Sequence, residues 1–133
     1  MPPQNTPPLP FEVSFDADRR LIHVVGRGDP SLADRVAWVN KVVAGHAPGS
    51  GIDVLIDISE ITRMPDAEQG GHIVRLMERL QLHLGGRIAI FSPRAGHATT
   101  THLIAAIAAS RDVTIRAFID GDRARSWLAS GVD

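Results

Sequence analysis

From residue 52 onward the chain alternates between two hydrophobic periods, and this alternation constrains the fold more than any other feature. Ile52, Val54, Leu55, Ile56 and Ile58 form a nearly unbroken, β-branched apolar run, the composition of a central strand covered on both faces. Arg87 to Phe91 and Val113 to Ile119 give two more such strands. Between them lie segments of helical period. From Pro65 to Leu84 the apolar residues Ile73, Leu76, Met77, Leu80 and Leu84 fall on one stripe, and Ser92-Pro93 opens an Ala-rich stretch running to Ser110 with Leu103, Ile104 and Ile107 as its larger apolar members. A strand that reaches the next strand only through a helix lies parallel to it, by a right-handed crossover.

The beginning of the domain reads differently. Five prolines among the first ten residues fix φ and remove backbone donors, so residues 1–10 are expected to form an extended, flexible leader. Phe11, Val13 and Phe15 alternate with polar residues, and a second run from Leu21 to Val25 ends at Gly26; the polar turn between them makes an antiparallel hairpin. Leu32, Val36, Val39 and Val43 then take helical spacing, with Asp29 as the expected N-cap and Pro30 at the first helical position. A short helix from about Gly121 to Ala129, presenting Ala124, Trp127 and Leu128, closes the chain. The order is ββαβαβαβα: one α/β domain over 11–133, with a mixed, mostly parallel five-stranded sheet and helices on both faces.

Composition removes several functions. The 133 residues suffice for one compact domain. A net charge of -1 offers no field for non-specific nucleic-acid binding, so nucleic acid is not an expected partner. Cysteine is absent, which excludes disulfides, thiolate metal sites and a Cys nucleophile. No apolar run approaches the roughly 20 residues of a membrane span, and the start MPPQNTPPLP has neither the basic patch nor the apolar region of a secretory signal. A cytoplasmic protein is expected.

Motifs for chemistry are few. Arg27-Gly28-Asp29 spells an adhesion tripeptide, but turn and cap roles account for it. Gly26-x-Gly28 lacks the third glycine of a dinucleotide loop, where Ser31 stands, and Gly49-Ser50-Gly51 lacks the Lys of a phosphate loop. His97 and His102 lie about 140° apart on a helix and cannot share an ion, and Glu68 with His72 finds no third ligand nearby. No metal site and no cofactor is therefore expected. Asp57, near the end of a buried strand, needs amide donors or solvent; a structural role in the following turn outweighs a functional one. Asp66 with Gln69 makes a capping box, and Ser92 and Asp120 have the same explanation as N-caps. Parallel strands gather Gly26, Ser59, Ser92 and Asp120 at one sheet edge, where open α/β sheets hold ligands. Asp57, Ser59, Arg63, Asp66, Ser92 and Arg94 are thus the candidate residues of a partner- or anion-binding rim.

The strand end Val54-Leu55-Ile56-Asp57-Ile58-Ser59, the element order, and Phe118-x-Asp120-x-x-x-Ala124-x-x-Trp127-Leu128 resemble the STAS-like (SpoIIAA-like) domains over about Phe11 to Leu128. Within that superfamily the chain is similar to small bacterial single-domain proteins, sometimes grouped with lipid-binding CRAL-TRIO-type domains. The resemblance implies a regulatory, protein-binding role. Anti-sigma-factor antagonists of this kind carry Asp-Ser-Ser/Thr-Gly with a phosphorylated serine, and that tetrad falls here on Pro65-Asp66-Ala67-Glu68. Asp66 stands where the acceptor serine would be, so no phosphorylation switch is implied at this site. Three functions follow for weighing: a non-catalytic interaction module acting through the Ile58–Asp66 rim; a carrier or sensor of a small apolar or amphipathic ligand, in a pocket lined by Phe91, Ile104 and Ile107; and an enzyme built on Asp57, Ser92 and Arg94. The first is favoured, with a protein as partner, and the oligomeric state stays open, a homodimer included.

Overall fold

A computed structural model describes residues 9–130, so all but the last two residues of the expected Pro-rich leader lie outside the described residues. Strands β1 (Phe11–Asp16) and β2 (Leu21–Gly28) are followed by α1 (Leu32–Gly45), β3 (Asp53–Ile61), α2 (Ala67–Leu84), β4 (Ile88–Phe91), a 3-10 turn (Ala95–His97), α3 (Ala98–Ser110), β5 (Ile115–Phe118) and α4 (Gly121–Ser130). The five strands form one sheet in sequence order. β1 is antiparallel to β2 and all other pairs are parallel. The chain is therefore an α/β domain with a mixed, mostly parallel sheet.

A monotonic strand order has a consequence for the layers. Right-handed crossovers that always step to the same side deposit their helices on the same face. Accordingly α1, α2 and α3 share one core with Val54, Ile56, Ile88 and Ile90, while α4 packs alone among the described helices on the other face, against Leu55 and Ala89. The alternation along β3 and β4 thus decides which core each residue joins.

Local starts and stops differ from expectation in four places. The N-cap of α1 is Ser31, not Asp29: Ser31 Oγ accepts from the Asp34 amide while Asp34 returns the bond to the Ser31 amide. Gly28, at φ +68, turns the chain first, which leaves Asp29 in the loop and shifts the buried stripe to Trp38, Val39 and Val42. β2 runs past Gly26 to Gly28, and β3 runs past Ser59 to Ile61. The extension is a β-bulge: Val25 pairs with Asp57 but Arg27 with Glu60, two steps on β2 against three on β3. Asp57 Oδ1 holds the bulge by accepting from both the amide and the hydroxyl of Ser59. Finally, Ser92 does not cap α3. Its hydroxyl accepts from the Arg94 amide and bonds His97 Nδ1 at 2.8 Å, closing a turn that delays the α-helix to Ala98.

Candidate functional site

At the carboxyl end of β2 and β3 the two following loops meet. Asp66 caps α2, accepting from the Gln69 amide while the Gln69 side chain accepts from the Asp66 amide. This box fixes the β3–α2 loop opposite the α1 start, and between them opens a cleft of about 370 Å³ lined by Asp29, Ser31, Arg35, Arg63, Asp66 and Gln69 as its polar groups. Arg63 Nη1 lies 3.9 Å from Asp29 Oδ2, both largely exposed, a pair of small energetic weight. Arg35 is better held. Its Nη1 donates to the Pro30 carbonyl at 2.7 Å, and burial draws its pKa below the ordinary range, opposed by Asp29 and Asp34; the guanidinium stays cationic regardless.

Beneath this cleft, between the sheet and α1 and α2, lies an apolar crevice with Phe11, Trp38, Ile61, Ile73 and Leu76 in its walls. Its cavity volume is about 50 Å³. Arg35, Met64 and Pro65 line both spaces, so the apolar and charged surfaces are continuous.

The candidate rim residues do not form one cluster. Arg63 and Asp66 share the cleft. Asp57 and Ser59 are engaged with one another inside β3. Ser92 lines a separate groove beside β5, and the Arg94 amide is tied to it. The edge is common, but the sheet's monotonic order spreads its loops along that edge. The apolar pocket fares worse as a grouping: Ile104 and Ile107 belong to the α1–α3 core, whereas Phe91 packs on the opposite face beside Ala89 and Trp127. Neighbouring strand residues point to opposite faces, and Phe91 follows Ile90.

Residues missed by sequence reasoning include Arg35 and Met64, whose place in the cleft is tertiary, and His97, whose bond to Ser92 crosses a proline turn. Ser92 and His97 are 4 % and 7 % exposed; their contact is that of a nucleophile and a base in distance, with both largely buried and Ser92 at the wall of the groove beside β5. Among the described residues no group of three or more His, Cys, Asp or Glu could hold a metal.

His23 is a further missed group. It lies on the α4 face of β2, in a hollow with Asp16, Arg19 and Arg125, and its Nε2 is buried without a hydrogen-bond partner. Burial lowers its pKa, the positive Arg125 adds to this, and Asp57 opposes. A lowered folded-state pKa means that the unfolded chain binds the proton more readily, so the contribution of His23 to stability is complete above pH 6.5 and is lost as pH falls from there through the lowered value. Urea unfolding between pH 7.5 and 5 is expected to show a smaller decline for His23→Gln than for the wild type. Parallel declines would remove His23 as a source of the acid sensitivity.

The chain matches no protein-family model and no curated protein, and among the described residues no helix is long and apolar enough to cross a membrane.

Proposed function

We propose that the chain is a non-catalytic, STAS-like regulatory or protein-interaction module of the cytoplasm, and that a protein partner docks where the β2–α1 and β3–α2 loops meet. The observation that carries this is the sharing of Arg35, Met64 and Pro65 by the polar cleft and the apolar crevice. An apolar centre continuous with a charged margin is the anatomy of a protein interface. The carrier reading has less support, since the apolar cavity of about 50 Å³ is far below the roughly 300 Å³ at which small-molecule sites begin, and Phe91 faces away from Ile104 and Ile107. Catalysis has less still: Ser92 borders the groove beside β5 but is only 4 % exposed, and its hydroxyl is already engaged by His97 Nδ1 and the Arg94 amide.

Asp66 separates stability from recognition. Asp66→Ala is expected to cost about 1 kcal/mol through the lost cap, while Asp66→Ser, an equally good capping residue, restores it. The family resemblance places a switchable serine here, so Asp66→Ser also removes the standing charge without harming the helix start.

The test is affinity capture from the protein's own cells with quantitative mass spectrometry, comparing wild type, Met64→Asp and Leu82→Asp. Leu82 is 81 % exposed on α2 and lies outside the cleft, so it serves as the control for a new surface charge. A partner held by wild type and Leu82→Asp but lost from folded Met64→Asp supports the reading. Identical capture by all three overturns it.

A further inference from the structure

On the α4 face of the sheet, strand alternation sets out polar residues beside the helix. Ser14 on β1 pairs with His23 on β2, and His23 with Leu55 on β3, so all three project from one face. α4 packs over Leu55, Ala89 and Phe118, farther along the sheet, and a hollow of about 250 Å³ remains between its flank and the hairpin. Four parts of the chain line it: Ser14 from β1, Arg19 from the β1–β2 turn, His23 from β2 and Arg125 from α4. The turn is held by Asp16, whose Oδ1 accepts from the Arg19 amide at 3.2 Å. The hollow lies toward the amino end of β2, whereas the cleft of Arg35 and Arg63 opens at its carboxyl end, so neither site depends on the other.

Two observations call for an occupant. The first is the imidazole: His23 Nε2 is buried without a hydrogen-bond partner, which costs about 1–3 kcal/mol unless something supplies the missing bond, and the ring borders this hollow. The second is charge. Two guanidinium groups line the hollow against one carboxylate, Asp16. Both guanidiniums are loosely held, Arg19 at 3.8 Å from Asp16 and Arg125 at 4.0 Å from Asp122, which is 97 % exposed; ion pairs of that length in solvent carry little energy. A water molecule would satisfy Nε2 but would leave the excess positive charge as it is. An anion answers both.

We propose that the hollow binds a phosphomonoester, its phosphate held by Arg19 and Arg125 with the Ser14 hydroxyl and His23 Nε2–H completing the shell. Donors that arrive from β1, β2, the turn and α4 suit a tetrahedral group, which offers three oxygens and about -1.5 to -2 charge; a carboxylate offers two oxygens and one charge. Guanidinium forks match such oxygens in pairs. The organic part of the ester has an adjoining space. A second hollow of about 550 Å³ shares Arg19, Leu21 and Arg125 with the first and extends to Gly51 and Leu128. Around the imidazole the charged groups are Asp16 on β1, Arg19 in the turn, Asp57 on β3 and Arg125 on α4. Burial, and then Arg125, lower the His23 pKa, so a bound anion that offsets Arg125 should raise it again.

The test uses the full chain with inorganic phosphate and glycerol 3-phosphate as probes, at constant ionic strength, followed by NMR of the histidine rings and backbone amides. Saturable shifts are expected at Ser14, His23 and Arg125, and the pH titration of the His23 ring should move upward with phosphate bound. Arg125→Gln should weaken binding roughly tenfold or more, the worth of a hydrogen bond to a charged group. Arg79→Gln, which removes the same charge from α2, should leave binding unchanged, and acetate should bind more weakly than phosphate. Vesicles of phosphatidylcholine containing phosphatidic acid separate two sources of the same group. Sedimentation of the wild type with them, lost in Arg125→Gln, assigns the site to a lipid head group; binding of glycerol 3-phosphate without sedimentation assigns it to a soluble ester. The proposal is overturned by the absence of saturable shifts, by shifts that map to Arg35 and Arg63 instead, by equal weakening in the two Arg→Gln variants, or by acetate binding as tightly as phosphate. A His23 titration unmoved at saturating phosphate also overturns it, and leaves water as the partner of Nε2.

Discussion

Alanine at position 86 is expected to cost about 3 kcal/mol or more, the range reserved for a clash that side-chain adjustment cannot relieve. A Cβ on Gly86 would run into the Ile52 carbonyl oxygen and lie 2.5 Å from its carbonyl carbon. Both are backbone atoms at the entry to β3. They are held in place by the bond from the Val54 amide to the Arg87 carbonyl, 2.9 Å, and by that from the Arg87 amide to Asp53 Oδ1, 2.8 Å. The start of β4 can move away only by giving up these bonds, and with them the registry of the two central strands. Gly85 makes the control. It caps α2 in the left-handed region at φ 82 with nothing within 4 Å of an added Cβ, so Gly85→Ala should cost only the backbone penalty of about 1–2 kcal/mol. Urea denaturation of the two variants gives the comparison, and a Gly86→Ala protein as stable as Gly85→Ala would refute the close approach of these strands.

The contrast between those glycines shows what a sequence can and cannot reveal. Gly85-Gly86 after Leu84 marks a helix end whichever glycine does what. Which of them the fold requires for lack of a Cβ depends on Ile52, more than thirty residues away. Element order was legible throughout because the periods of two and 3.6 are properties of neighbouring residues. Caps were legible where one candidate stood, as at Asp66, and misassigned where Asp29 and Ser31 competed two residues apart. Ser31 wins because Asp34 stands three residues on to reciprocate. The end of β3 was misplaced because Ser59 is polar, and polarity ordinarily stops a strand; here Asp57 absorbs that hydroxyl into a bulge, and the strand continues to Ile61. As for the site, the sequence could place Arg63, Asp66 and Ser92 at one edge but not divide them between two surfaces. That division follows from the sheet's monotonic order and from α4 crossing to the other face, both of which are tertiary.

Trp127→Ala should produce the other large loss, about 3–5 kcal/mol, as expected for removing a buried indole. Trp127 is 6 % exposed and packs with its ring centroid 5.8 Å from that of Phe118, while Arg87 and Arg116 lie over its ring. The second core has few other members: Leu55, Ala89, Ala124 and Leu128. At ten residues, α4 is too short to hold helical structure unaided, so its order derives from this contact. The variant should therefore lose more than contact area. Amide exchange across Gly121–Ser130 should accelerate as a unit, whereas α2, anchored in the larger core by Val74, Met77 and Leu80, should keep its protection. The cleft of Arg35, Arg63 and Met64 lies with the opposite layer and should still capture its partner. If capture were lost in a protein whose α2 amides remained protected, the cleft would not be independent of α4, and the assignment of the partner site to the layer of α1 and α2 would fail.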